Sequence, residues 1–307
     1  MIHVACNIDS NYVKHCGVML TSLFENNKAY KFNIHIVESN LSQDNKKVLT
    51  SIVEKYGNLV SFYKMDIGLI DGFEIKATHN RLSLAAYFRC FLSLILPVTI
   101  NRVIYFDCDI IIKGDISPFW SIEMEDTIAV AAVEDMGCQE SHRYEILKYP
   151  MHYSYFNSGV LLVNLEFWRK NNIPQRCIDF YHKYPERIIF NDQDLLNCIL
   201  YKNKKQVSIY WNVQDAFYRN PKHITNEWKE KYEHVLKNPI VLHYTNRKPW
   251  DYDSQHPLKE EYFKYLDMTP WKGYRPSHSI INRCKRFFKL LPFHLGIRKA
   301  KYVKLSK

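Results

Sequence analysis

Two hydrophobic rhythms alternate along this chain. Residues 2–8 form a short apolar run that reads as a buried strand. Asp9, Ser10 and Asn11 break it with turn and N-cap chemistry, and Val13, Cys16, Leu20, Leu23 and Phe24 then recur on one helical face. The pattern repeats. A strand at 32–37 precedes a helix capped by Ser42, with Val48, Leu49, Ile52, Val53 and Tyr56 on its face and Gly57 at its end, and a third strand follows at 59–63. Strands alternating with helices predict parallel pairing in a doubly wound α/β sheet. Ligands of such sheets lie beyond the carboxyl ends of the strands, which is where Asp9 and Asn11 fall.

Beyond residue 65 the rhythm is looser. Residues 66–82 read as loop and 84–94 as a helix carrying Arg89, closed by Pro97. Ser117 opens a short helix, and a strand at 128–133 ends at Glu134 and Asp135. Residues 136–154, with several His and Tyr and few aliphatics, read as a long functional or mobile excursion. Phe156, Asn157, Ser158 and Gly159 lead into a buried strand at 160–164, and a helix follows at 174–184. Asn191, Asp192, Gln193 and Asp194 stand at the start of another helix, with Asp194 the better N-cap. A last strand at 240–243 ends in His243 and precedes Lys248, Pro249 and Trp250. One boundary is visible, near Trp271.

The stretch 103–112 differs from the rest because an apolar run enters Asp107, Cys108 and Asp109 and a second apolar run leaves them. In extended backbone the two carboxylates, two residues apart, point the same way. Side by side at the end of a buried strand they repel and are costly to desolvate. A divalent cation removes both costs, and hard oxygen ligands suit Mg2+ or Mn2+ better than zinc. The bland alternative is a solvated pair of strand-end aspartates.

Composition narrows the field. With 307 residues, 47% of them hydrophobic, the chain can bury a large core. Only 9 glycines are present and no Gly-x-Gly-x-x-Gly follows the first strand, which argues against a dinucleotide fold or a phosphate loop. The phosphates of any nucleotide must then be neutralised by metal and side chains. The eight scattered cysteines form no Cys-x-x-Cys pair and read as reduced core residues of a cytosolic protein. No apolar stretch reaches the roughly 20 residues of a spanning helix, and residue 2 enters a strand with no secretory leader before it.

The charge is uneven. Of 42 Lys and Arg, 11 fall within 268–307, which has no Asp or Glu; the preceding residues carry 31 basic and 32 acidic side chains and are close to neutral. A basic tail on a neutral body points to an anionic surface rather than to nucleic acid. Within it Ile280, Ile281, Cys284, Phe287, Phe288 and Leu291 share one helical face, flanked by Arg283, Lys285, Arg286 and Lys289, with Pro292 as terminator. That is the pattern of a helix lying on anionic lipid; the alternative is a helix docked on the body with its charges solvated.

Taken in order, the segments at Asp9–Asn11, Arg89, Asp107–Asp109, Phe156–Gly159, Asn191–Asp194, His243 and Lys248–Trp250 resemble those of glycosyltransferase family 8. This retaining group contains bacterial lipopolysaccharide α-galactosyl- and α-glucosyltransferases and glycogenin. The resemblance covers about residues 1–270. It implies one Rossmann-like nucleotide-sugar-binding domain of the GT-A type with a mixed central sheet over 1–270, and a basic helical tail over 271–307 at the membrane surface. Asp107, Asp109 and His243 would hold Mn2+ (or Mg2+), together with the diphosphate of UDP-glucose or UDP-galactose. Asp9 and Asn11 would meet the uridine end, Cys108 would belong to the donor-binding set, and Lys248 would bind the diphosphate. Arg89, Asp135 and Asn157 would touch the donor sugar. Asp192 and Gln193 would sit at the reacting carbon, making Gln193, Asp192 and Asp135 the catalytic set. The acceptor would be a saccharide or glycolipid, the location cytoplasmic and peripheral on the inner face of the cell membrane, with no nucleic-acid partner.

The chain departs from the family pattern in three places. Asn246 stands where a glycine is common, four residues rather than five separate His243 from Lys248, and Ser10 replaces an aspartate of some relatives. The amide Gln193 is a poor nucleophile, so same-face attack by the acceptor hydroxyl is expected, with Gln193 stabilising an oxocarbenium-like sugar. Two other readings compete. One is a phosphatase of the haloacid dehalogenase type with Asp107 as nucleophile, disfavoured by the three strands before the motif. The other is an inactive glycan- or membrane-binding protein.

Overall fold

The computed structural model describes residues 1–76, 83–219, 226–251, 253–276, 279–299, 301–303 and 305, and among these ten strands divide between two sheets. They are β1 (Ile2–Ile8), β2 (Phe32–Glu38), β3 (Leu59–Lys64), β4 (Arg102–Phe106), β5 (Ile110–Ile112), β6 (Val130–Glu134), β7 (Phe156–Asn164), β8 (Lys204–Gln206), β9 (Val213–Gln214) and β10 (Val241–His243). The large sheet has the order β3-β2-β1-β4-β7-β6-β8, and a small one has the order β5-β10-β9.

The predicted alternation holds for the first three strands, which are parallel, with α1 (Val13–Asn26) and α2 (Gln43–Lys55) between them. Ser42 caps α2 by accepting from the Asn45 N–H at 3.1 Å, and Gly57 takes the left-handed conformation that ends it. Asp9 does not cap α1. It accepts instead from the Asn11 N–H at 2.9 Å in a local turn, and Tyr12 is the N-cap with no side-chain bond.

Parallel pairing does not extend through the sheet. β7 is antiparallel to both β4 and β6, giving the mixed sheet of the GT-A type. The cause is the excursion after β6. It leaves and re-enters the sheet at the same edge, with Glu134 opposite Phe156, so β7 must run back. Residues 156–159 therefore sit at the edge where β1, β4 and β6 end. The excursion is tied down, not loose: its helix Ser141–Leu147 carries Arg143, which is ion-paired with buried Asp194.

Several local expectations change. Asp107, Cys108 and Asp109 lie in a turn between β4 and β5, not in extended backbone. The segment from residue 84 is a 3-10 helix, Leu84–Phe91, passing into one α-turn, Leu92–Ile95. Of the loop foreseen at 66–82, Ile67–Ile70 forms a 3-10 turn and 77–82 lie outside the described residues. Pro292 does not stop the tail helix, which runs Ile280–His294. All eight cysteines are free thiols; five are buried as core residues, but Cys138 and Cys198 are half-buried and Cys284, on the tail helix, is exposed.

The core lies on both faces of the large sheet. β4 is apolar and buried from Val103 to Phe106 and β7 from Val160 to Val163, as central strands covered on both sides must be. The helix Ile280–His294 meets the body through the Lys289–Asp253 ion pair, while Ile280, Ile281, Phe287 and Phe288 stay 60–79% exposed. The chain beyond it returns: the Val303 N–H donates to the Tyr218 carbonyl at 2.8 Å, and Tyr302 Oη donates to Asp215 Oδ1 at 2.8 Å.

Candidate active site

The carboxyl edge of the large sheet carries a cleft of about 100 Å³, lined by Asp9, Tyr12, Arg89, Asp107, Cys108 and Asp109 among others. Its metal-ligating end is built by the small sheet. β10 is antiparallel to β5 with His243 opposite Ile110, so the imidazole arrives beside Asp109. His243 Nε2 lies 3.2 Å from Asp109 Oδ1 and 3.9 Å from Asp107 Oδ2. One ligand atom from each of the three falls within 4.8 Å of the others. Asp109 Oδ1 is buried and accepts no hydrogen bond.

Gly159 makes this convergence possible. A Cβ there would sit 2.2 Å from His243 Cε1 and 2.7 Å from Asp107 Oδ2. The strand backbone thus forms a floor under the triad that only glycine allows. A donor set of two carboxylates and one imidazole, with one buried oxygen unsatisfied, fits Mn2+ and accommodates Mg2+.

Two cations balance the aspartates. Lys248 Nζ pairs with Asp109 Oδ2 and donates to the Tyr244 carbonyl at 2.6 Å, so the four-residue spacing from His243 suffices to bring it to the site. Burial alone would raise the Asp109 carboxyl, but Lys248 and His243 hold it well below the usual carboxylate range. Trp250 of the same loop stacks on His15, with ring centroids 3.6 Å apart, and His15 Nδ1 meets Tyr262 Oη at 2.7 Å.

Arg89, on the 3-10 helix Leu84–Phe91, is buried. Its Nη2 is 2.7 Å from Asp107 Oδ1, its Nε is 3.1 Å from Asp192 Oδ2, and its Nη1 donates to the Ser158 carbonyl at 2.8 Å. Burial opposes its charge, and Asp107 and Asp192 more than offset that. The guanidinium joins Asp107 to Asp192, with most of its donors taken up by protein. Asp192 also accepts from Ser158 Oγ at 2.8 Å. Burial pushes its carboxyl up to about 6, with Arg89 pulling the other way and Asp107 adding to the rise.

Asp135, Asn157 and Gln193 form one network. Asp135 Oδ2 accepts from Asn157 Nδ2 at 3.0 Å and from Gln193 Nε2 at 2.9 Å, and Asp135 Oδ1 accepts from the Gly137 N–H at 2.8 Å. Gln193 Oε1 accepts from the Ser158 N–H at 3.0 Å and from Asn157 Nδ2 at 3.1 Å. Its oxygen is held by two donors and is not presented as a nucleophile. Asn191 places these residues: it has φ +49°, a conformation asparagine tolerates better than most, and its Oδ1 accepts from the Lys76 N–H at 2.9 Å.

Most of the residues expected at the site therefore line one cleft edge or its hydrogen-bond network. Asn11 stands exposed at the rim, and the Cys108 thiol turns inward to Cys6 and Cys16 although the residue lines the cleft. Asp194 is not the N-cap of its helix. Its Oδ2 reaches back to the Ile189 and Phe190 N–H groups, each at 2.6 Å, and Oδ1 takes Tyr155 Oη at 2.6 Å beside Arg143. Sequence reasoning gave no role to Gly159, Tyr105, Ser158 or Asn212. Tyr105 Oη donates to Asp107 Oδ1 at 2.8 Å, and its signal is i, i+2 spacing on the strand that delivers the motif. For Asn212 the signal is an amide directly after the apolar residues Ile209, Tyr210 and Trp211.

A mixed α/β sheet with paired carboxylates, a histidine and a lysine at the carboxyl edge defines a glycosyltransferase. The chain belongs to glycosyl transferase family 8, whose profile matches residues 3–254. It is 31% identical over 279 residues to general stress protein A of Bacillus subtilis (strain 168), spanning 88% of this chain and 95% of that protein. It is 26% identical to the lipopolysaccharide 1,2-glucosyltransferase of Escherichia coli (strain K12), spanning 95% and 86%. The crystal structure of galactosyltransferase LgtC in complex with donor and acceptor sugar analogs superposes with a TM-score of 0.76 at 19% identity. That match covers 92% of this chain and 100% of that one, a likeness of fold.

Proposed function

We propose that this chain is a metal-dependent, retaining hexosyltransferase that moves glucose or galactose from a UDP-sugar to a saccharide hydroxyl in the assembly of a surface glycan such as lipopolysaccharide. The observation that carries this reading is the meeting of Asp107, Asp109 and His243 over Gly159 with Lys248 beside them. Names of relatives such as the E. coli glucosyltransferase support the glycan assignment.

In this reading Asp107, Asp109 and His243 hold Mn2+. A cation there supplies positive charge to the departing diphosphate. Lys248 exchanges its bond to Asp109 for the diphosphate, and Asp9 and Asn11 bind the uridine end. Asp135 and Asn157 orient the donor sugar, and Arg89 acts from beneath by fixing Asp107 and Asp192. The acceptor hydroxyl attacks on the face the nucleotide leaves. Asp192 supplies negative charge near the oxocarbenium-like carbon, and Gln193 holds Asp135 and Ser158 in register. A phosphatase reading fails on family, because the chain belongs to glycosyl transferase family 8.

No described helix is long and apolar enough to cross a membrane. The exposed Ile280, Ile281, Phe287 and Phe288, among basic residues without an acid, suit attachment to an anionic bilayer surface on the cytoplasmic side, where a glycolipid acceptor would lie. Incubation with a panel of UDP-sugars and Mn2+, scored for UDP release, tests the assignment. Release from UDP-glucose or UDP-galactose that is abolished by EDTA and by Asp109→Ala is expected. Release that survives both would overturn the metal-dependent reading.

A further inference from the structure

Asn212 lies outside the expected site set, yet it is fully buried at the head of β9, which pairs with β10 so that Gln214 lies opposite His243. Its hydrogen bonds leave little freedom. The Gly159 N–H, which can only donate, points at Asn157 Oδ1 at 3.0 Å, fixing that atom as the amide oxygen. The other end of Asn157 faces Asp135 Oδ2 and Gln193 Oε1, both acceptors, and is the nitrogen. Asn212 approaches Asn157 Oδ1 at 2.8 Å and must do so with its own nitrogen. That turns Asn212 Oδ1 toward His243 Nδ1, 2.9 Å away, and an acceptor there requires Nδ1 to carry a hydrogen. The neutral imidazole then has its lone pair on Nε2, the atom facing Asp107 and Asp109.

We propose that Asn212 is a positioning residue for the metal centre: through an amide relay anchored on Gly159 and Asp135, it holds His243 in the Nδ1–H tautomer and aims Nε2 at the cation. This rests on the metal-dependent reading above. The relay also joins the metal side of the cleft to the sugar-side carboxylate through two asparagines. An outer hydrogen bond of this kind sets ligand orientation and basicity, and its loss costs about 10–100-fold in metal affinity.

The test has two readouts on the whole protein. The first is the histidine 15N spectrum of metal-free protein at about pH 8, above the ordinary imidazole range. It is expected to show His243, assigned by its loss in His243→Gln, as Nδ1–H; an Nε2–H tautomer would overturn the proposal whatever the metal does. The second is Mn2+ affinity by titration calorimetry. Asn212→Leu, which keeps the volume and removes the acceptor, is expected to bind about 10–100-fold more weakly. Asn212→Asp, which keeps an acceptor toward Nδ1 but sets a second acceptor against Asn157 Oδ1, is expected to retain the tautomer and to lose part of the affinity. Wild-type affinity in Asn212→Leu would overturn the proposal. Should Asp109→Ala bind Mn2+ like wild type, the metal reading itself fails, and the tautomer measurement still decides what Asn212 does to His243.

Discussion

Gly159→Ala adds one methyl group at the most confined point of the site. The new Cβ would lie 2.2 Å from His243 Cε1, 2.7 Å from Asp107 Oδ2 and 3.0 Å from His243 Nε2, where ordinary contacts begin at 3.4 Å. Something must therefore move by more than about 1 Å, and neither side yields easily. The Gly159 carbonyl accepts from the Asp107 N–H at 2.9 Å, and Val160 is paired with Phe106. The imidazole is held at Nδ1 by Asn212, and its backbone is paired with β5 and β9. The strain is worth about 1–3 kcal/mol of stability, the usual cost of overpacking a filled interior. Function should suffer more, because ligand distances tolerate only about 0.2 Å and a misplacement of about 1 Å costs on the order of 100-fold in rate.

The assay pairs Mn2+ titration calorimetry with UDP release and a urea melt, using Gly114→Ala as the control. The nearest atoms to a Cβ at Gly114 belong to the Ile240 side chain, the first at 3.3 Å. The expected result is a folded Gly159→Ala protein, destabilised by a few kcal/mol at most. Its Mn2+ affinity should be down at least tenfold and its UDP release about 100-fold, with Gly114→Ala near wild type. Wild-type Mn2+ affinity and turnover in Gly159→Ala would refute the reasoning, since the triad could not then occupy the positions that crowd this backbone.

Two further outcomes are expected. The Asp192 carboxyl is raised to about 6 by burial from an ordinary 3.8, so the folded state binds the extra proton: its contribution to stability is full below about pH 4 and is lost as pH rises through about 6. Urea midpoints of metal-free wild type and Asp192→Asn should therefore diverge in favour of the variant between about pH 4 and 7, by up to about 3 kcal/mol, and parallel curves would show that Asp192 is not raised. Replacing Phe287 or Phe288 with Ser should weaken sedimentation with phosphatidylglycerol vesicles about tenfold or more each while leaving UDP release from soluble donor unchanged; no vesicle binding by the wild type would remove the tail helix from the membrane surface.

What the sequence made legible and what it hid differ in kind. Asp107, Asp109, His243, Lys248 and Gln193 could be found because each lies at the end of an apolar run or within a recognisable cluster, where chemistry stands out against hydrophobic periodicity. Their companions act through contacts between distant segments. Gly159 matters because β7 runs antiparallel beneath β10's histidine, a direction set by an excursion that returns to the same sheet edge, and no local propensity encodes that. Asn212 precedes a two-residue strand too short to show a period, and its meaning comes from β10 beside it. Arg89 was legible as a charge, since a guanidinium on an isolated helix looks ready for a ligand. Only the fold shows it gripping Asp107 and Asp192. The tail is the converse case. Spacing placed Ile280, Ile281, Phe287, Phe288 and Leu291 on one stripe, and the fold leaves the first four exposed while Leu291 is half-buried and Lys289 pairs with Asp253 of the body. Periodicity therefore locates the residues that carry charge to the cleft edge, while the hydrogen bonds that aim them belong to topology.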